Sequence, residues 1–215
     1  MTATDKAPPR RKYNSTRRRQ NAEQTRREIL GTARANFVQH GWHGAGMREI
    51  ARDAGVSVET VYSNFPSKAA LFKEVLNILV VGEDEPFALS ERPEFRAVTT
   101  VGSPTERIEA LARIQAEVHG RVARLRMVLR EAARTDDNLA DVERLVLAEE
   151  REQARLTLQT VHPDPSDQDI EGMQALYSSD LYILLTEIRG WTPEQYIQWI
   201  TELSLAVFAA KGVVQ

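Results

Sequence analysis

The stretch MREIARDAGVSVETVYSNFPSK, Met47–Lys68, decides how the rest of the chain is read. Ile50, Ala51, Ala54, Val56, Val61 and Phe65 fall on the inner side of two short helices, and Gly55 stands where the chain must turn sharply between them. A glycine there accepts a positive φ that a Cβ would resist. Ser57 then caps the second helix by accepting from one of its free amides. The outer side of that helix is polar: Ser57, Val58, Glu59, Thr60, Tyr62, Ser63 and Asn64. A helix–turn–helix unit of this kind fits the DNA major groove, which is wide enough to admit a helix.

AGVSVETVYSNFPSK, preceded by TRREIL and GWHGAGMREIA and followed by ALFKEVL, resembles the DNA-binding domain of the TetR family of bacterial transcriptional regulators. The resemblance covers roughly Thr25 to Leu76 and fades beyond it into a general helical pattern. It implies a homodimeric regulator with a divergent ligand-binding domain. It further implies that Arg48 reaches DNA backbone or a base, that Thr60 and Tyr62 contact phosphate or base, and that Lys68 contacts phosphate. Lys68 also stands at the positive end of a helix dipole, a phosphate-binding arrangement in its own right. Ala45 and Gly46 depart from the family pattern, which has a capping Thr or Ser there. Glu59 replaces a small residue; facing DNA, a carboxylate repels phosphate yet accepts from a cytosine or adenine amino group. It is either a specificity residue or an exposed first-turn acid. Asn64 and Ser63 either contact DNA or end the helix.

Charge is divided unevenly. Residues 1–82 hold fourteen Lys/Arg and seven Asp/Glu, whereas the remainder holds fourteen against twenty-four, within a formal net charge of −3. A basic reader joined to an acidic body suits a DNA-binding protein whose second part must not adhere to DNA. With 215 residues and 42% hydrophobic content the chain can build a sizeable core. The absence of cysteine excludes disulfides, thiolate metal sites and cysteine nucleophiles. Apolar stretches such as 76–81 are too short to span a bilayer. No GxSxG, HExxH or phosphate-cradling glycine loop is present, so no catalytic residue and no cofactor is expected. His40 and His43 lack a third ligand at metal-binding local spacing.

The expected organisation is all-α in three parts. Residues 1–20 read as a disordered basic arm, either a phosphate-seeking or minor-groove extension or a solubilising tail. Residues 21–66 form the helix-turn-helix domain, with Asn21 as first cap and Ile29, Ala33 and Phe37 as the inner stripe of its first helix. Arg26 and Arg27 either approach phosphate or lie on a solvated face. Trp42 is a core residue. Residues 67–215 form a ligand-binding and dimerisation domain, entered through the helix of Leu71–Leu79 and a long loop over 82–102.

Later helices are expected near 104–119, 120–134, 137–161, 167–189 and 193–211, with Ser103-Pro104-Thr105-Glu106 and Thr192-Pro193-Glu194-Gln195 as capping boxes. His119 and Arg126 interrupt apolar faces. They are either polar anchors of a pocket shared with Met127, Tyr177 and Tyr182, or satisfied interior groups paired to a glutamate. The last two helices are apolar on more than one side, which predicts a four-helix dimer interface from 167–189 and 193–211 unless the monomer buries the surplus itself. The function these features predict is a cytoplasmic, nucleoid-associated bacterial regulator on a palindromic double-stranded DNA operator, a repressor released by a small molecule. The alternative is an architectural or ligand-independent DNA-binding protein.

Overall fold

Punctuation residues set the helix ends, and the apolar stripes between them set how the helices pack. The computed structural model describes residues 13–81, 102–160, 162 and 164–210. Among these every regular element is helical: α1 (Tyr13–Gly44), α2 (Met47–Asp53), α3 (Val58–Asn64), α4 (Lys68–Val81), α5 (Pro104–Ala132), α6 (Asp137–Gln159), α7 (Asp167–Leu176), α8 (Ser179–Ile183), which runs on into a π turn (Leu184–Ile188), and α9 (Pro193–Ala210). No helix among the described residues is long and apolar enough to cross a membrane.

The predicted caps form. Ser103 and Glu106 close a reciprocal box, with the Ser103 amide donating to Glu106 Oε2 at 2.6 Å and the Glu106 amide to Ser103 Oγ at 3.3 Å. Thr192 and Gln195 do the same at 2.8 and 3.2 Å. Ser166 and Asp169 make a third box that the sequence reading did not single out.

Three expectations are corrected. The first helix begins at Tyr13, inside the stretch expected to be a disordered arm, so Asn21 lies within α1 and caps nothing. Residues 1–12 of that arm, and residues 82–101 of the expected loop, lie outside the described residues. The break expected at Gly120 does not occur: α5 is one helix of 29 residues, roughly 43 Å long at 1.5 Å per residue. No capping side chain precedes Gly120, and Val118 and Val122 on either side bury into the same core, so packing outweighs the helix-interior cost of glycine, about 1 kcal/mol. The helix expected over 167–189 is instead cut at Tyr177 (φ −100, ψ 35), after which the Ser178 side chain accepts from the Leu181 amide and starts α8.

Two apolar clusters result. The first gathers Ile29, Ala33 and Phe37 of α1, Val61 and Phe65 around α3, Leu71, Phe72, Val75 and Leu79 of α4, and Val118, Val122, Leu125 and Leu129 of α5. It runs unbroken across the 66/67 boundary. The second joins Ile108, Leu111 and Ala116 of α5 to Leu158, Ile170, Met173, Tyr182, Tyr196, Ile200 and Phe208. Trp42 is buried as expected, its ring 5.9 Å from Phe37 and 5.7 Å from Phe72. It also carries an unforeseen partner. Lys68 Nζ donates to the Trp42 carbonyl at 2.6 Å and sits 4.0 Å from the centre of its ring. Burial pushes the Lys68 ammonium down, partly offset by Asp136.

His119, 6% exposed, lies between the clusters on α5. Its Nε2 is 2.9 Å from the Tyr177 carbonyl, which can only accept, so Nε2 carries the proton and Nδ1 accepts from Ser179 Oγ at 3.1 Å. Burial pulls its pKa from 6.5 to about 4. Arg126 is paired to Glu143 at 2.7 Å and Glu150 at 3.2 Å, as the interior-group reading expected; His119 is satisfied by a carbonyl and a serine instead of a glutamate.

Two outcomes follow from these contacts. Lys68→Ala is expected to lower stability by about 2–4 kcal/mol, the sum of one charged hydrogen bond and one cation–π contact, read by urea unfolding. Because the His119 pKa is depressed in the fold, the unfolded chain takes up its proton first as pH falls below 6.5. Stability is therefore lost between pH 6.5 and about 4, by about 3 kcal/mol at most. His119→Gln should flatten the upper part of that loss, from pH 6.5 to 5, measured by unfolding at fixed intervals of pH.

Candidate nucleic-acid interface and junction cleft

The local sequence around α3 makes a rigid, outward-facing helix. Gly55 adopts φ +68, and the Val56 amide returns to the Ala51 carbonyl at 3.0 Å to close the turn. Ser57 Oγ accepts from the Thr60 amide at 3.1 Å, capping α3 as predicted. Val61 is fully buried and Phe65 nearly so, and Val58 packs partly into the same core. Glu59, Tyr62 and Ser63 are left exposed on the far side, Tyr62 at 52%. Arg48 is exposed on α2. Gly46, at the N-cap of α2, supplies no side-chain hydrogen bond there, in keeping with its departure from the family pattern.

Several residues of the predicted interface have partners within the protein. Asn64 Nδ2 donates to the Thr60 carbonyl at 2.8 Å, and Ser63 Oγ donates to the same carbonyl at 2.8 Å. Both thus hydrogen-bond within the last turn of α3. Thr60 Oγ1 lies 3.0 Å from Ser57 Oγ, half buried. Lys68, expected at a phosphate, is turned inward onto Trp42. The physical reason is that the Trp42 carbonyl, next to the break at Gly41 (φ +67), needs a donor and the flat ring beside it attracts a cation.

Arg26 is the residue that sequence reasoning missed. Its guanidinium donates to the Asn64 carbonyl at 3.3 Å and to Glu74 at 2.6 Å, and lies 4.4 Å from the centre of the Phe65 ring. It clamps α1 to the end of α3 and to α4, which neither reading of Arg26 anticipated. No local pattern could have disclosed this, because Glu74 lies 48 residues away. Asn36, buried on α1, donates to Asp53 at 3.2 Å at the end of α2; the neighbouring Arg52, and then this bond, hold the Asp53 carboxyl below its usual range.

The expected pocket residues do not converge. His119, Tyr177 and Tyr182 do cluster, with the His119 and Tyr182 rings 5.7 Å apart and the Tyr177 hydroxyl 2.9 Å from Ser204 Oγ. Arg126 is committed to its two glutamates, and Met127 is 48% exposed, pointing away. Met127 falls on the exposed arc of α5, between the buried pairs Leu125–Arg126 and Val128–Leu129. A void lined by Arg107, Ile108, Leu111, Thr157, Thr160, Met173 and Phe208 measures about 10 Å³, the room of one water.

A larger space lies at the junction of the two halves. A cleft of about 360 Å³ separates α1 from α5, lined by Gly31, Arg34, Ala35 and Val38 on one side and by His119, Gly120, Arg121, Arg124 and Glu187 on the other. Arg124 Nε donates to Glu187, on the π turn, at 2.9 Å. Arg121 Nε donates to the Leu79 carbonyl of α4 at 3.0 Å. The signals for this cleft in the sequence are the two glycines inside helices, which periodicity analysis treats only as weak points.

Comparison with known proteins places these observations. Residues 29–75 match the family described as bacterial regulatory proteins, tetR family. The HTH-type transcriptional regulator UidR of Escherichia coli K12 is 38% identical over 55 residues, which cover 26% of this chain and 28% of UidR. The HTH-type transcriptional activator FasR of Mycolicibacterium smegmatis is 44% identical over 54 residues, 25% of each chain. The chain thus matches little more than a quarter of the length of these curated relatives. Over nearly its whole length it shares a fold with NalD of Pseudomonas aeruginosa, the secondary repressor of the MexAB-OprM multidrug efflux pump: TM-score 0.61, 21% identity, covering 85% of this chain and 94% of NalD. The match to the family of bacterial regulatory proteins, tetR family, is carried by residues 29–75, and over most of its length the chain has the fold of solved structures that include NalD.

Proposed function

We propose that the protein is a homodimeric, sequence-specific DNA-binding transcriptional regulator, a repressor by the more common outcome among such relatives, acting in the bacterial cytoplasm. The observation that carries this reading is α3 itself: capped by Ser57, clamped from behind by Arg26, and bare on the face that bears Glu59 and Tyr62. A reader held this firmly loses little conformational entropy on binding. UidR and FasR, similar over this segment, are named as a regulator and an activator of transcription; NalD, alike in fold, is named as a repressor.

Arg48 and Tyr62 are assigned to phosphate or base edges, Glu59 to discrimination between bases, and Ser57, Val58 and Thr60 to the close approach of the α3 amino terminus to DNA. Ser63, Asn64 and Lys68 are assigned to positioning α3. Two readers related by a two-fold axis would occupy successive major grooves about 34–36 Å apart on a palindromic operator.

The dimer is assigned to α8 and its π turn together with α9. Ile188 (65% exposed), Leu184 and Val207 are bare apolar side chains on these elements, while Ile170, Met173, Tyr177 and Ile183 are already buried within the chain. Part of the surplus apolar surface is thus spent inside the monomer, and the rest favours a second copy. Release by a small molecule entering the body of the protein completes the proposal.

The reading is tested by selecting duplexes from a randomised pool and measuring binding against scrambled competitor. A single preferred palindrome is expected; equal affinity for all duplexes would favour an architectural protein instead. On the selected duplex, Tyr62→Phe should weaken binding about three- to tenfold and leave the preferred sequence unchanged, whereas Glu59→Ala should change the preferred base at one position of each half-site. Ile188→Glu, which places a charge in the assigned interface, should shift sedimentation to monomer and abolish cooperative operator binding.

A further inference from the structure

The cleft between α1 and α5 has the features of a built site and takes no part in the proposed DNA interface. Its lining includes two exposed helix-interior glycines, Gly31 of α1 and Gly120 of α5. A Cβ at Gly31 would meet nothing within 4 Å, and one at Gly120 would meet only the Tyr182 hydroxyl at 3.4 Å. Neither has a positive φ, so no backbone requirement explains them. In a helix interior each costs about 1 kcal/mol relative to alanine, and what their missing side chains leave is open space.

The walls of that space combine apolar and basic groups. Ala35 and Val38 lie on the α1 side with Arg34; Arg121 and Arg124 lie on the α5 side, with Glu187 the only acid among the lining residues. His119, kept neutral by burial, adds no charge. The π turn that brings Glu187 to Arg124 is an irregularity of a kind often found at functional sites, and Glu187 occupies the position an incoming carboxylate or phosphate oxygen would take. About 360 Å³ lies at the small end of ligand-binding cavities.

We propose that this junction cleft binds a small organic anion, an apolar body bearing one carboxylate or phosphate, which seats its body over Gly31 and Gly120 and displaces Glu187 from Arg124. The cleft touches the two halves at once: α1 carries the Arg26 clamp on the reader, Arg121 holds the end of α4, and Glu187 belongs to the element assigned to the dimer. An anion held on Arg124 with its body against Gly31 of α1 would therefore alter the angle of α1 to α5, and with it the spacing of the readers. That regulatory consequence rests on the function proposed above; the binding itself does not.

Titration calorimetry on the full chain without DNA tests the site, using benzoate and phenyl phosphate as probes and benzylamine as a cation of matching size. One anion per chain is expected, with no heat from benzylamine. Gly31→Leu, which fills the cleft with a good helix former, should abolish binding and raise the melting temperature. If that variant does not fold, Ala35→Met fills the same space from an exposed position. Arg124→Gln should weaken binding about tenfold, and Glu187→Gln, which removes the competing carboxylate, should tighten it several-fold. The second result is the opposite of what a purely structural ion pair predicts. No heat from either anion, or binding that survives filling of the cleft, would overturn the proposal. A second arm adds the same anions to the protein on its selected duplex: release that is lost in Gly31→Leu supports the coupling, whereas binding without release retains the site and refutes its regulatory role.

Discussion

The structure depends on one long helix that belongs to two cores. Val118, Val122, Leu125 and Leu129 of α5 bury against α1 and α4, while Ile108, Leu111 and Ala116 of the same helix bury against α7, α8 and α9. Each apolar group removed from water stabilises its own cluster at about 25 cal/mol per Å². Because both sets of groups sit on one unbroken hydrogen-bonded rod, neither cluster can rotate without carrying the other. A change of packing around α8 and α9 is therefore felt at α1, and through Arg26 at the carbonyl that ends α3.

Polar contacts then refine what the apolar clusters permit. Lys68 closes the end of α1 on the start of α4, Arg26 joins α1 to α3 and α4, and Asn36 joins α1 to α2 through Asp53. All three lie on the concealed side of the helix-turn-helix unit. Charge on that side is thus spent on rigidity, while Glu59 and Tyr62 stay exposed on the outward side of α3. Lys68 illustrates the division. A cation at a helix amino terminus suits a phosphate in isolation, yet a carbonyl at 2.6 Å and an indole face at 4.0 Å hold it more closely.

Glycine serves two different purposes along the chain. Gly55 and Gly41 take positive φ, and their role is conformational. Gly31 and Gly120 are helical, and their role is to be absent of side chain, leaving the cleft between α1 and α5. From sequence the two kinds look alike, which is why Gly120 was read as a helix boundary.

Local chemistry made much of the molecule legible in one dimension. The turn at Gly55, the caps at Ser57, Ser67, Ser103 and Thr192, the burial of Trp42 and the all-helical character each follow from residues within a few positions of one another, because a cap or a turn is an interaction between near neighbours. What only the tertiary structure decided involves partners far apart. Arg26 meets Glu74, Arg126 meets Glu143 and Glu150, Lys68 leaves the surface for Trp42, Met127 turns outward, and α5 stays whole through Gly120. Periodicity specifies which side of a helix is apolar, but the neighbour that covers it is chosen by how the described helices share a limited interior, and that choice is made in three dimensions.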